Sequence, residues 1–169
     1  SRGGGVGINV SSLRPRYDTV VSVGGRSSGS VSWADLYSFI TGKVEQGGSR
    51  RGALMLILDV WHPDIELFCD AKRTAGVLEN ANLSVAISDA FMAAVEGDED
   101  WNLVFPDRSD PSYDHVWDGD LARWRELGKP VRTYRTVRAR DLWHRICASA
   151  HASGEPGLFF VDRANALSN

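Results

Sequence analysis

The chain has 169 residues, 43% of them hydrophobic and 24% charged, with a formal net charge of −3. That is the composition of a globular domain able to bury a sizeable core, and its weakly acidic balance excludes a general electrostatic attraction to nucleic acid or to anionic membranes. No apolar run approaches the roughly 20 residues of a membrane-spanning helix, and the opening SRGGGVGINV does not read as a signal peptide.

Taken in chain order, strand and helix patterns alternate. Gly7 to Val10 reads as a short strand after a glycine loop, and Ser11 to Ser30 as mostly loop around a brief apolar run at 19–23. Ser32 with Asp35 is the expected capping-box start of a helix running to about Gln46. Trp33, Leu36, Tyr37, Ile40 and Val44 recur along it at helical spacing, and Gly47-Gly48 is expected to stop it. Ala53 to Val60 (ALMLILDV) is the near-continuous apolar run of a strand buried on both faces.

Pro63 suits the first turn of a helix that reaches Lys72, and Thr74 to Leu83 is polar loop. Ser84 to Ile87 reads as a strand, Asp89 as the cap of a helix ending near Val95, and Leu103 to Phe105 as another strand. Pro106 to Pro130 is a charged, aromatic-dotted surface excursion. Val131 to Thr136 is extended, Ala139 to Ser153 helical, and Leu158 to Val161 a final buried strand. The alternation argues for a mostly parallel α/β architecture; periodicity alone does not separate an open sheet from part of a barrel.

Cys69 and Cys147 fit neither a CxxC nor a zinc spacing and both sit in apolar, helix-like contexts, so buried thiols in a cytoplasmic, reducing location are expected. His62, His115, His144 and His151 show no ligand spacing, and no metal site is expected. No nucleophile or carboxylate pattern accompanies His62 as a catalytic base; Trp61-His62-Pro63-Asp64 reads as a packing and capping motif. The acidic residues between Asp98 and Asp120 miss the EF-hand pattern and read as a solvated face.

Three loops carry ligand-binding chemistry. Gly3, Gly4, Gly5 and Gly7 precede a strand, whereas the dinucleotide fingerprint needs a helix there; they are either a flexible turn or a place where backbone approaches a ligand closely. Arg14, Arg16, Gly24, Gly25 and Arg26 combine guanidinium forks with exposed amides, the chemistry that grips phosphate, although a solvated loop has the same composition. Lys72, Arg73, Glu79, Asn80 and Asn82 lie in a further polar loop whose carboxamides both donate to and accept from base edges. Arg50 and Arg51, flanked by glycines at the entry to an apolar strand, have either carboxylate or phosphate partners.

The strings GGVGINVSSLRPR, GGRSSGSVSWADLYSFITGKVEQGGSRRGALMLILDVWHPDI, LENANLSVAIS and EPGLFFVDR together resemble the catalytic α subunit of ribonucleotide reductases, most closely the adenosylcobalamin-dependent (class II) branch. The resemblance covers essentially the whole chain. It implies a partial arc of a ten-stranded α/β barrel, with mostly parallel strands alternating with helices. It also implies that Gly3, Gly4, Gly5, Gly7 and Asn9 lie next to the nucleotide substrate. Arg14, Arg16, Gly24, Gly25 and Arg26 then belong to a first specificity loop that holds a deoxynucleotide or ATP effector. Lys72, Arg73, Glu79, Asn80 and Asn82 belong to a second, which couples effector identity to the base accepted, as a two-state element would.

For the parent protein the resemblance implies reduction of ribonucleotides to deoxyribonucleotides by thiyl-radical chemistry, with adenosylcobalamin as cofactor and a thioredoxin-type reductant. A homodimer through helices next to the effector site is a further implication, with the helix from Trp33 the candidate. One departure stands out: Tyr17-Asp18-Thr19-Val20 occupies a place where a glycine commonly follows the Arg-Pro-Arg segment. The family's radical-cysteine string is absent, neither Cys69 nor Cys147 matches a catalytic position, and no catalytic residue is assigned to this chain. Both ends read as cuts, so residues 1–169 are expected to be an inert fragment of one catalytic barrel domain. A class I α subunit and a self-contained nucleotide-binding regulatory module are the alternatives.

Overall fold

The structure is a computed structural model that describes residues 4–20, 24–46, 50–73 and 76–168, leaving the side chains at 45, 46, 50 and 51 outside the description. In chain order, β1 (Gly5–Asn9) leads into a two-stranded hairpin of β2 (Thr19–Val20) and β3 (Gly25–Arg26), then α1 (Ser30–Lys43). A second small hairpin, β4 (Glu45–Gln46) and β5 (Arg50–Arg51), precedes β6 (Ala53–Asp59), α2 (Ile65–Asp70) and a short 3₁₀ turn (Ala71–Arg73). Next come β7 (Asn82–Ile87), α3 (Asp89–Glu96), β8 (Asp100–Pro106), α4 (Tyr113–Val116) and α5 (Leu121–Glu126). The chain finishes with β9 (Val131–Arg138), α6 (Ala139–Ser153), β10 (Gly157–Phe160) and α7 (Val161–Leu167).

β1, β6, β7 and β10 lie side by side in that order in one parallel sheet, joined through helices as parallel neighbours require. The register aligns Asn9 with Ile57, Ile57 with Ser84 and Ser84 with Gly157, so a single row crosses all four strands. Strand side chains alternate between faces. One set, Val10, Leu54, Leu56, Leu58, Leu83, Val85 and Ile87, is buried beneath the helices with Ile65, Phe68, Phe91, Leu142 and Ile146. The other set, Gly5, Gly7, Ala53, Met55, Asn82 and Phe159, lies on a face that the helices leave uncovered, with Met55 42% and Phe159 40% exposed.

Two expectations are corrected here. The 53–60 run is a strand buried on one face rather than both, and β10 is exposed along its length. Apolar composition alone does not report whether a neighbour covers the second face.

α1 inverts its sequence pattern. The buried residues are Ser30, Ala34 and Ser38, whereas Trp33, Leu36, Phe39 and Ile40 are each more than 40% exposed. Small side chains bring this helix close to the sheet and to the loop after α2; Val31 and Tyr37 pack half-buried against the core, and Trp33, Leu36, Phe39 and Ile40 point away. Its start is also corrected: the helix begins at Ser30 after Gly29, and Ser32 Oγ donates to the Ser28 carbonyl instead of forming a capping box. It also ends earlier than expected: α1 stops at Lys43, Val44 is extended and Glu45–Gln46 already belongs to β4, so the helix does not reach Gln46. The expected stop at Gly47-Gly48 lies outside the described residues. At α3 the cap is Ser88, whose hydroxyl accepts the Phe91 N–H, and not Asp89.

β8 and β9 pair antiparallel, apart from the parallel sheet. The segment between them folds back: Trp124 and Leu121 are buried, and Phe105, Tyr113, Trp117 and Trp124 meet edge to face or tilted at 5.5–6.4 Å between ring centres. Its acidic residues nonetheless stay at the surface: Asp107, Asp110 and Asp118 turn back onto neighbouring Ser109, Ser112 and Asp120 groups. Cys69 is buried, its thiol pushed up to about 12 by burial and then by the Asp70 charge. Cys147, expected to be buried, lies on the exposed side of α6.

Candidate functional site

Parallel α/β sheets present their ligands beyond the carboxyl ends of the strands, where Asn9, Asp59 and the first arginine loop lie, whereas the second loop leads into the amino end of β7. Asn9 ends β1. Its amide donates to Asp59 at 3.0 Å, its carbonyl oxygen accepts the Ser11 N–H at 2.8 Å, and the Asp59 N–H donates to Ser11 Oγ at 2.7 Å. The ends of β1 and β6 are thereby tied together by side chains where the ladder stops. Before Asn9 the open face is bare: a Cβ on Gly4 or Gly7 would meet nothing within 4 Å, and one on Gly5 would meet only Ala53 at 3.6 Å. Gly3 lies outside the described residues.

The Trp-His-Pro-Asp motif after β6 organises the first arginine loop. The Asp64 carboxylate accepts Arg16 N–H at 3.0 Å, Ser30 N–H at 2.9 Å and the Ser30 hydroxyl at 3.0 Å. It therefore caps α1 across the fold rather than its own helix, and it fixes where the loop enters. Gly29 makes this possible with φ 89°; a Cβ there would sit 2.7 Å from Arg16 Cβ and 2.8 Å from Asp64 Oδ2. His62 supports the same carboxylate. It is buried, its Nδ1 accepts the Asp64 N–H at 3.0 Å, and its Nε2 meets the Leu13 carbonyl at 2.9 Å. Burial holds its imidazole below the ordinary value, against the opposing pull of Asp64, the Leu13 carbonyl and Asp59. A neutral ring with both nitrogens engaged is a structural part and not a free base.

The loop itself closes through Tyr17 N–H to the Ser27 carbonyl at 2.9 Å and Ser27 N–H to the Asp18 carbonyl at 2.8 Å. Tyr17 has φ 66°, a left-handed conformation that costs a non-glycine residue about 1–2 kcal/mol. That accounts for the expectation of a glycine at this place. Tyr17 keeps the conformation with its ring under the Arg16 guanidinium, 4.7 Å from the ring centre. Gly24, at φ 61°, opens the return strand that carries Gly25 and Arg26. From the other side Arg108 reaches in: its Nη1 donates to Asp18 at 2.7 Å and to the Thr19 carbonyl, while Trp117 Nε1 donates to the Ser12 carbonyl at 3.0 Å.

Arg14, Arg16 and Arg26 form no ion pair with a carboxylate among the described residues, whereas Arg108, Arg135, Arg138, Arg140 and Arg145 all do. Lys72 is engaged: its ammonium lies 3.3 Å from Glu155, whose other contact is the Leu83 N–H at 2.8 Å. Arg73 is exposed and only 3.6 Å from Asp70 at its closest. Glu79 accepts the Gly76 N–H at 3.1 Å, and Asn80 N–H donates to Ser38 Oγ at 3.0 Å. Asn82 is the first residue of β7, paired in register with Met55 and so in the same row as Gly7, with Met55 between them, on the open face. The partners of Arg50 and Arg51 lie outside the described residues.

A cavity of about 270 Å³ joins the two loops, lined by Arg16 and Ser28 from the first, Val31 and Ser32 from the start of α1, Leu67 from α2 and Val77 from the second. A larger one of about 520 Å³ lies on the far side of α2 and α6. Its arginines are already matched by carboxylates, Arg135 and Arg145 by Glu66 and Arg138 by Asp98 and Asp100. It holds only Arg73 of the residues singled out from the sequence. The smaller cavity is the one the loops share.

The family model of the ribonucleotide reductase barrel domain matches residues 1–169. The chain belongs to the ribonucleotide reductase family. The parallel arc of β1, β6, β7 and β10 is that α/β barrel seen in part, with no closure among the described strands. A vitamin B12-dependent ribonucleoside-diphosphate reductase of Mycobacterium tuberculosis is 42% identical over 96% of this chain and 20% of its own length. Its counterpart in Thermoplasma acidophilum is 34% identical over 96% of the chain and 18% of its own. A ribonucleoside-diphosphate reductase large subunit of vaccinia virus is 31% identical, over 98% and 22%. The chain thus spans about a fifth of the length of the curated relatives it matches, and the class I alternative is not favoured.

Asp64, Asp18, Arg108, Asp35 and Ser38 all shape the two loops, and none is legible as a loop residue in the sequence. Each acts across tens of positions, from 34 between Ser30 and Asp64 to 90 between Asp18 and Arg108. Only the clustering of WHPD hinted at a role for one of them.

Proposed function

We propose that the protein carrying this chain reduces ribonucleotides to deoxyribonucleotides by radical chemistry, and that this segment forms the substrate-side floor and the effector-reading loops of its catalytic barrel. The observation that carries the division of labour is the 270 Å³ cavity between the two loops, with Arg16 at its wall. Arg14, Arg16 and Arg26, unmatched by carboxylates among the described residues, are suited to effector phosphates. The open-face glycines support the substrate reading for a separate reason. Glycine in a strand lowers stability and marks close approach by a ligand or another backbone, and Gly7 has no neighbour of its own within 4 Å to require it.

The reacting thiols belong to other segments of the parent, since Cys69 is buried with a raised pKa and Cys147 lies on the outer side of α6. The vitamin B12-dependent relatives support adenosylcobalamin as the parent's cofactor, which would start the radical chemistry when bound. None of its contacts is assigned to a residue of this chain. A thioredoxin-type reductant and a cytoplasmic location complete the reading. The exposed Trp33, Leu36, Phe39 and Ile40 of α1 support pairing of two copies through this helix beside the loops.

The test uses the full-length reductase. Gly7→Ala is expected to leave thermal stability unchanged and to raise KM or lower kcat for ribonucleotide, because the added methyl stands on the substrate side. Arg14→Ala is expected to weaken effector binding at least tenfold, the loss of roughly one charge-assisted phosphate contact. Wild-type kinetics in both variants would refute the assignment. Tight effector binding by residues 1–169 alone, with cooperative unfolding, would instead support the self-contained regulatory module.

A further inference from the structure

The second loop does not stand free: it is docked along α1. Asp35 Oδ1 accepts the Leu78 N–H at 3.0 Å, and one turn on Ser38 Oγ accepts the Asn80 N–H at 3.0 Å. A further turn on, Gly42 faces the Asn80 side chain. A Cβ there would lie 2.5 Å from Asn80 Nδ2 and 2.7 Å from its Cγ, so the carboxamide occupies the space that the missing side chain leaves. Asp35, Ser38 and Gly42 follow one another at three- and four-residue spacing and share a helix face.

Leu78 is the anchor, fully buried with φ 55°. A leucine keeps left-handed backbone only where its surroundings over-determine it, and such strain collects in switch elements. Here the Asp35 carboxylate and the burial of the side chain supply that constraint. The same helix carries Trp33, Leu36, Phe39 and Ile40 on its exposed side, so one rigid element has the loop on one face and the proposed pairing surface on the other.

We propose that α1 is the cradle that sets the second loop's conformation, with Asp35, Ser38 and Gly42 as positioning residues for base selectivity. The inference rests on the reading of residues 76–82 as the loop that transmits effector identity. Asp35 and Ser38 fix the backbone at Leu78 and Asn80, and Gly42 leaves the Asn80 carboxamide in the orientation it presents. None of the three needs to touch a nucleotide.

The experiment measures, in the full-length reductase, how far each deoxynucleotide effector shifts kcat/KM among the four common ribonucleotides. Wild type is compared with Asp35→Ala, Asp35→Asn, Gly42→Ala and Asn80→Ala, with effector-free turnover and melting temperature recorded for each. Asp35→Ala and Gly42→Ala are expected to reduce the effector-induced selectivity roughly five- to tenfold, as loss of a positioning hydrogen bond or displacement of the carboxamide would. Effector-free turnover is expected to hold. Asp35→Asn keeps an acceptor for Leu78 N–H and is expected to retain selectivity, which a purely electrostatic role for Asp35 would not produce; unchanged melting temperatures in Asp35→Ala and Gly42→Ala separate the loss of selectivity from a general loss of folding.

Gly42→Ala keeps the test open should Asp35→Ala fold poorly, because alanine raises helix propensity and only the end of a short side chain must move. Wild-type selectivity in Gly42→Ala and Asp35→Ala, with loss in Asn80→Ala, overturns the cradle and leaves the loop reading standing. Wild-type selectivity in Asn80→Ala as well overturns both.

Discussion

The two faces of the parallel sheet come from the same strands, yet they follow different rules. On the helix-backed face, Leu56, Leu58 and Val85 are fully buried, and Leu83 and Ile87 nearly so. The alternate positions carry Gly7, Asn9, Ala53, Met55 and Ser84, and where helices leave them uncovered they contribute little to the core. One face is packed to exclude water; the other is left open, and the proposed substrate side is this open face. The period of two thus separates a face of buried aliphatic side chains from one that mixes glycine, alanine and serine with Met55, Ile57 and Phe159.

The sharpest way to break that comparison is a pair of neighbours on β6. Leu56→Ala is expected to cost about 2–5 kcal/mol in urea denaturation, the loss for a fully buried leucine. Met55→Ala, on the open face, is expected to stay within about 0.5 kcal/mol. Similar losses at the two positions would mean that the open face is part of the core after all.

A smaller effect concerns the polar side of the buried layer. Burial depresses His62 below its unfolded value, so the native state favours the neutral ring. Its stabilising contribution is complete above about pH 6.5 and is lost as pH falls through the folded value, at no more than about 1.4 kcal/mol per pH unit. His62→Gln is expected to be less stable at neutral pH and to show a shallower fall between about pH 6.5 and 5 by denaturant titration. An unchanged slope would show that the carboxylates alone set acid sensitivity.

The smallest expected change lies at the rim, where the loops leave the sheet. Tyr17→Gly relieves a left-handed backbone at φ 66° but gives up the Arg16 stack and adds chain entropy to the unfolded state. Its thermal stability is expected to rise by no more than the equivalent of about 1 kcal/mol. A clear loss would assign the ring a packing role that its 61% exposure does not suggest.

Much of this architecture is legible in the sequence. The 53–60 run, the α6 boundaries and the alternation of strands and helices follow from local pattern and propensity. Even the odd tyrosine marks its own position: the resemblance implies a glycine there, and the backbone at Tyr17 has the positive φ that glycine tolerates best. The pattern on α1 misleads instead: spacing alone cannot say whether Trp33, Leu36 and Ile40 face the sheet or face away, and here the small residues Ala34 and Ser38 are the buried ones.

The family, the strand–helix order and the glycine and arginine loops are written in the residues themselves, since each of these is carried by neighbours along the chain. What holds those loops emerges only on folding: Asp64 caps a helix across 34 positions, Arg108 braces Asp18 across 90, and Asp35 holds Leu78 across 43. Such contacts arise when packing brings distant elements together around buried polar groups that must find partners. No local pattern announces where along the chain those partners will be.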